Sequence, residues 1–547
     1  MTDATSDPEA AASTGRSSSL VAAGILLSRL SGLIRQAALA AFIGAGIQLD
    51  AFVVAMRVPN LLQNLFGEGV LSASFIPVYS ELIEKGETEE AGRVAGAIAG
   101  LLFLVTGLLS AIGIVLAGPI VSLTAPGLEG EGHDLAVTLM RITTAGIAVL
   151  VLSAWCLGIL NSHRQFFLSY VAPVVWNAAQ IIMLVLVGIL AWTTTDGIRA
   201  VAWAVLAGSI AQFLVQLPKV LRLVPNLKLS LDRSSVNVQS VLSRFAPTVL
   251  GRGVVQISAF IDLILASLLA EKALSNVAFA QALYILPISL FAMSVAAAEL
   301  PEMSRIYDDD IAIGERARTG QARIAFFILF TTVAYIAVGD LIAGALLERG
   351  KFTADDTMAV WFILGTLALG LPAISSSRLL QNVMYAKGET KAPALIALVR
   401  VVVSTAVGLA LMFPLDEFVI LGRTVMSETD PRLDAVATVQ PHLGPVGLAI
   451  GLSVAAWVEY ILLSRLARSR VVGFLSPLRA FGPIALPAAF AFLLLTVLKL
   501  AVAWLPLLIA APIALGIAGL LYVTVSFRRG VPEATLVLRP IRRAIWR

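Results

Sequence analysis

The stretch "RVPNLLQNLFGEGVLSASFIPVYSE", Arg57 to Glu81, follows directly on "LDAFVVAM" and poses the problem of the whole chain. It is apolar enough to enter a bilayer. Yet Asp50, Arg57 and Glu68 stand in it or in its lead-in, and Pro59 and Pro77 are expected to kink it. An ionised side chain facing lipid at mid-bilayer costs at least about 2.5 to 3.5 kcal/mol, so such groups are expected to turn inward, towards a partner or a wet cavity.

The surrounding sequence supports a bilayer setting. Of 547 residues, 58% are hydrophobic and 14% charged, where globular domains carry about 25% charged residues, and the mean hydropathy is +0.90. Apolar runs of about 20 residues recur without period-two alternation, which points to helices and not to a barrel. The expected fold is an all-α polytopic membrane protein of about fourteen spans, at 19–41, 48–83, 92–124, 135–160, 166–192, 198–222, 238–269, 275–304, 320–346, 356–386, 392–414, 444–466, 478–502 and 505–527. Residues 1–18, small and polar, read as a disordered cytoplasmic tail, and 528–547 as a basic one.

Several functions are disfavoured at once. Cys156 is the single cysteine and reads as a buried small hydrophobe, and the three histidines lack metal-ligand spacing, so no cofactor or metal is expected. A net charge of +4, scattered along the chain, does not suggest nucleic acid.

Loop charge alternates. Arg164, the group Lys219, Arg222, Lys228 and Arg233, then Arg316, Arg318 and Arg323, Lys387 and Lys391, and Arg465 to Arg479 mark one side. "PGLEGEGHD" and the acidic stretch from Asp416 to Asp434 mark the other. By the positive-inside rule the basic loops are cytoplasmic, and an even number of spans puts both termini there.

The chain also resembles itself. "DAFVVAMRVPNLL" and "VAFAQALYILPISL" share Ala-Phe followed by a proline, each helix then reaching a second proline in "SFIPVYSEL" and "AELPEMSRI". "APVVWNAAQ" and "APALIALVR" open helices at matching places. Two parallel six-helix lobes around a central cavity are therefore expected, at 19–222 and 238–466, with two extra helices at 478–527. The intramembrane charges then have somewhere to point: Arg29 and Arg35, Asp50, Arg57 and Glu68, Arg252 and Asp262, Glu299, Arg378, Arg400 and Glu459. A cationic cavity with partial carboxylate compensation predicts an anionic ligand, and the planar fork of arginine favours phosphate. Asp50 and Glu68 have an equally serviceable role as structural partners of arginines, and Arg35 and Arg400 as side chains reaching for the interface.

"LLSRLSGLIRQAALAAFIGAGIQLDAF", the Arg57 to Glu81 stretch and "MYAKGETKAP" resemble the MurJ (MviN) lipid II flippases of the multidrug/oligosaccharidyl-lipid/polysaccharide exporter superfamily. The resemblance extends over the whole chain. It implies two six-helix lobes, two further helices forming a lipid-facing groove, and a cationic cavity. It also implies an undecaprenyl-diphosphate-linked disaccharide pentapeptide as cargo, carried by alternating access to the outer leaflet of the bacterial cytoplasmic membrane for peptidoglycan synthesis. Lipid II, membrane lipids and the cell-wall synthesis machinery are the implied partners. Arg29 and Arg35 match the family's first-helix arginines, and Asp50, Asn60 and Glu68 its second-helix polar positions. A further second-helix arginine of the family falls at Gln63 or Asn64, its first-helix carboxylate at Gln36 and its eighth-helix arginine near Ala282. Arg57, Arg252 and Arg378 are the candidates to replace them. Asp262 is the candidate for sodium coupling, with the membrane potential as the other driving force. The rival expectations are a flippase for another polyprenyl-linked glycan, a drug antiporter of the same fold, and a membrane scaffold that does not transport.

Overall fold

Runs of apolar residues in lipid must close their backbone hydrogen bonds within the segment, and the protein is accordingly almost entirely helical. The computed structural model describes the backbone of residues 8–436, 439–471 and 477–545, and their side chains apart from 8–23, 25, 250–252, 254, 255, 257, 434, 435, 477, 478 and 539–545. The chain divides into two compact units between Leu268 and Leu269. The first holds α1 (Pro8–Phe42), α2 (Ile47–Ala55), α3 (Arg57–Phe66), α4 (Glu68–Glu84), α5 (Thr88–Val115), α6 (Ala117–Thr124), α7 (Gly130–Ala145), α8 (Ile147–Ser162), α9 (Phe166–Ile189), α10 (Thr194–Leu223) and α11 (Val236–Ser267). The second holds α12 (Ala273–Pro287), a π-helical turn at Ile288–Ala292, α13 (Met293–Arg305), α14 (Asp310–Leu347), α15 (Ala354–Ala386), α16 (Lys391–Asp416), α17 (Gly444–Arg470), α18 (Gly482–Ala501), α19 (Leu507–Arg528) and α20 (Pro532–Ile545).

Eleven helical stretches among the described residues are long and apolar enough to cross a membrane, from Thr88–Val115 to Leu507–Arg528, and each falls on one of the fourteen expected spans. The remaining three expected spans, 19–41, 48–83 and 238–269, are helical and are not among these eleven stretches of the described residues. They are the spans that carry Arg29 and Arg35, Asp50, Arg57 and Glu68, and Arg252 and Asp262. The second of them is divided into pieces of 9, 10 and 17 residues.

Those divisions lie at Met56 and Gly67: the first, three residues before Pro59, is where a kink from that proline falls, while the second replaces the one expected at Pro77. Pro59 sits in the first turn of α3, where its missing N–H leaves the Ala55 carbonyl without a helical donor, and Thr143 Oγ1 donates to that carbonyl at 3.3 Å. Pro77 lies inside α4 without ending it. Gly67 is extended, with φ −85° and ψ −156°, and a Cβ there would collide with the carbonyl oxygen of Gln63. The glycine is required by this close approach, not by its φ.

In the first unit Phe75 stacks on Tyr79 at 5.2 Å in a core shared with Trp155 and Ile98. Val238 and Val241 of α11 join that core, and Phe245 meets Phe66 at 6.0 Å. The helix expected to open the second lobe at 238 therefore packs with the first unit. Helix α1 begins at Pro8, inside the stretch expected to be a disordered tail, and α20 occupies much of the expected basic tail.

In the second unit α14 is bent at Val338, where φ is −134° and ψ 26°. The Trp361 indole of α15 donates to the carbonyls of Tyr335 and Ile336 at 3.1 and 3.2 Å, satisfying acceptors at the bend. The acidic stretch after α16 forms a hairpin that the sequence did not announce, β1 (Phe418–Leu421) paired antiparallel with β2 (Thr424–Ser427). Gly422 and Arg423 both have positive φ, 59° and 65°, as a two-residue type I′ turn needs.

Candidate functional site

The first-unit candidates fall into three environments. Helix α1 packs on α9, and there Arg35 lies over the Trp176 ring at 4.9 Å with Nη1 3.4 Å from Gln180 Oε1. One turn earlier Asn177 Nδ2 donates to Ser31 Oγ at 2.9 Å, fixing the register of the two helices. Arg35 Nε is buried with no hydrogen-bond partner, and no carboxylate pairs with this guanidinium among the described residues. Arg29, six residues earlier, is exposed. Six residues turn a helix by about 240°, so the two arginines face different surroundings.

Arg57, the first residue of α3, points at α11. Its Nη2 donates to the Ala259 carbonyl, its guanidinium lies 5.7 Å from the Phe260 ring centre, and the Asp262 carboxylate is near enough for its charge to act on Arg57. Arg57 and Asp262, assigned separately to cargo and to an ion, thus share one neighbourhood.

The third environment is a polar face along α3 and α4. Asn60, Asn64, Glu68 and Ser72, four residues apart in succession, are exposed together with Gln63, while Leu62, Leu71 and Phe75 fill the opposite side. Glu68 is close enough to Tyr170 of α9 for its charge to be felt there. Asp50, only 3% exposed in α2, is not on this face. Asp50, Arg57 and Glu68, all expected to turn inward, differ in exposure: Asp50 is buried, Arg57 half-buried and Glu68 exposed. The Arg252 side chain lies outside the described residues.

Arg378 belongs to the second unit, on α15, half-buried. Its charge and those of Arg400 and Glu459 all act on Tyr284. Glu459, 2% exposed, accepts from Gln381 Nε2 at 2.9 Å and stands 3.5 Å from Arg400 Nη1. Arg400 is therefore neutralised in place. No carboxylate pairs with Arg378 among the described residues.

Sequence reasoning passed over the Lys499–Asp340 pair, 2.8 Å apart, with Lys499 also 4.1 Å from the Trp361 ring centre. The signal was there, a lone lysine in "LLLTVLKLAVAW" and a lone aspartate in "IAVGDLIAGA". It also passed over Trp176, Gln180, Tyr284 and Gln381. Uncharged side chains in apolar helices carry no mark until a neighbour is known.

The family model for the lipid II flippase MurJ matches residues 39–429. A protein of Rhizobium meliloti named probable lipid II flippase MurJ is 30% identical over 542 residues, 94% of each chain. The lipid II flippase MurJ of Burkholderia cenocepacia is 30% identical over 460 residues, 83% of each. A solved lipid II flippase MurJ in an inward closed conformation superposes with a TM-score of 0.74 at 24% identity, covering 93% of this chain and 98% of that one, which bears on the fold. A membrane-embedded helical chain with this polar surface, similar over nearly its full length to these proteins, belongs to the MurJ lipid II flippase family.

Proposed function

We propose that the protein flips lipid II from the inner to the outer leaflet of the bacterial cytoplasmic membrane for cell-wall synthesis, with both termini cytoplasmic. It makes and breaks no covalent bond and needs no cofactor. One observation carries the assignment of the site: Arg35 is held at a helix–helix contact by an indole face and an amide, with a buried Nε–H unpaired and no carboxylate beside it among the described residues. A cation kept in an apolar setting without a counter-ion is costly and is expected to receive an anion. The diphosphate of the cargo supplies one, in the bidentate geometry that guanidinium favours.

Around it, Arg29, Asn60 and Glu68 offer exposed polar groups for the headgroup. Asp50, Arg57 and Asp262 act as positioning residues, fixing the short helices α2 and α3 against their neighbours. Arg252, and in the second unit Arg378, are further candidate cations for an anionic ligand. The joints at Met56 and Gly67 are the proposed flexing points as the site changes its exposure from one leaflet to the other. With Asp262 beside Arg57, the membrane potential is the preferred driving force over sodium.

The test is depletion in the native host, followed by identification of the lipid-linked intermediate that accumulates. Lipid II is the expected species. Accumulation of a different polyprenyl-linked glycan, with lipid II unchanged, would reassign the cargo while leaving the transport class intact.

A further inference from the structure

Helix α5 carries glycines at every fourth residue, Gly92, Gly96 and Gly100, and an extended segment, not another helix, lies along them. Cβ atoms at these positions would collide with the backbone of Asn226, Lys228 and Ser230 respectively. Ser230 N–H donates to the Gly96 carbonyl at 3.4 Å, and the Lys228 and Ser230 carbonyls face the glycines closely enough for Cα–H···O contacts. Gly100 is twelve residues into α5, about 18 Å along its axis, so the segment runs well down an apolar helix.

Between this segment and helices α5, α8 and α10 lies a groove of about 1010 Å³. Phe103 and Leu108 of α5, Trp155 of α8, Phe213 and Leu221 of α10 and Leu229 of the segment are among its walls. Gly107 lies at its floor with nothing within 4 Å of where a Cβ would stand. The three helices are all among those able to cross a membrane, so the groove opens towards acyl chains. Arg222 follows the lining residue Leu221, Lys228 precedes the lining residue Leu229 and Arg233 stands two residues past the lining residue Leu231; all three are exposed, with no carboxylate paired to them among the described residues. The acids nearby are otherwise engaged: Glu90 takes Arg93, Ser235 and Asn237, and Asp232 takes the Ser234 N–H. Among the described residues the backbone N–H groups of Leu229 and Leu231 donate to no protein acceptor. Extended backbone next to lipid needs polar partners from somewhere.

We propose that this groove is a binding site for an acidic phospholipid of the cytoplasmic leaflet. One acyl chain lies over Gly107 between Phe103 and Phe213, and the phosphate is held by Arg222, Lys228 and Arg233 with the free N–H groups of the segment as further donors. Charge complementarity selects the headgroup, because the residues that adjoin the apolar lining in sequence are basic.

The test uses the full-length protein in phosphatidylcholine vesicles containing a phosphatidylglycerol with a photoreactive group in its acyl chain, or a phosphatidylcholine with the same group. Crosslinked peptides are mapped by mass spectrometry. Residues 99–108 and 213–221 are expected to label about fivefold more with the acidic lipid, the preference that one net basic contact gives. The variant R222Q/K228Q/R233Q should lose the preference, and Gly107→Phe should lose labelling with both lipids. The charged side chains are exposed and Gly107 faces open space, so both variants are expected to fold, and monodisperse elution of each checks it. Equal labelling by the two lipids, or a preference that survives the triple variant, would overturn the site. So would displacement of the crosslink by a polyprenyl diphosphate but not by phosphatidylglycerol, which would make the occupant the tail of the cargo.

Discussion

Lys499 and Asp340 offer the sharpest energetic test of how this chain keeps charge inside a membrane. They join α18 to the bent part of α14 at 2.8 Å, with side chains 27% and 11% exposed. At that distance and an effective dielectric constant of about 20, the gross attraction is about 6 kcal/mol. Desolvation removes much of it, and breaking a buried pair from one side typically costs about 3 to 5 kcal/mol. Asp340→Asn leaves Lys499 against the Trp361 face, which is worth about 0.5 to 2 kcal/mol, so a loss of about 2 to 3 kcal/mol is expected. Lys499→Met should cost a similar amount by stranding the carboxylate, and the double variant should return to within about 1 kcal/mol of the wild type, because neither charge is then left buried without its partner. Unfolding in mixed micelles, from mild detergent to dodecyl sulfate, gives the three differences and hence a coupling energy of about 3 to 6 kcal/mol. A coupling below about 0.5 kcal/mol would refute the reasoning, since the two charges would then be solvated independently.

Other variants probe the rest of the molecule. Glu459→Gln keeps an acceptor for Gln381 but strands Arg400, so it should destabilise by about 1 to 3 kcal/mol in the same titration, and Arg400→Gln in that background should recover most of the loss. Gly67→Ala forces the Gln63 carbonyl to move, costing about 1 to 3 kcal/mol of local strain, and should impair complementation of a flippase-depleted strain while insertion is retained. Cysteines placed one at a time from Asn60 to Ser72 should label at 60, 63, 64, 68 and 72 and stay protected at 62 and 71, and uniform labelling would remove the polar face. Cysteine at Glu131 or Glu428 should react with an impermeant external reagent and cysteine at Ser469 should not, and the reverse pattern would invert the direction of flipping.

Hydropathy and loop charge were enough to place eleven spans, because in lipid the backbone has few alternatives to the helix. The charged helices were legible as unusual for the same reason: nothing apolar explains Arg35 or Glu68. Their orientation was not legible. Whether Arg57 and Glu68 share a face depends on the break at Gly67, and that break rests on a close approach to the Gln63 carbonyl that a residue with a Cβ could not make. Proline marked the first break, since Pro59 leaves the Ala55 carbonyl without a helical donor, but Pro77 did not mark the second, at Gly67. The glycine repeat of α5 likewise suggests close helix packing, yet its partner is an extended segment more than a hundred residues away in sequence. Asp340 and Lys499 sit 159 positions apart, and no local pattern joins them.

The central claim is that an unpaired arginine cation within the first unit receives the diphosphate of lipid II. It is tested most directly in flippase-depleted cells expressing this chain, by measuring how much lipid II an added, membrane-impermeant lipid II hydrolase can reach from outside. The wild type should restore exposure, and Arg35→Ala, at equal membrane abundance, should lose it by at least about tenfold, as removal of a charged hydrogen-bonding partner implies. Restoration by Arg35→Ala to the wild-type level, or no exposure with the wild type, would contradict the account.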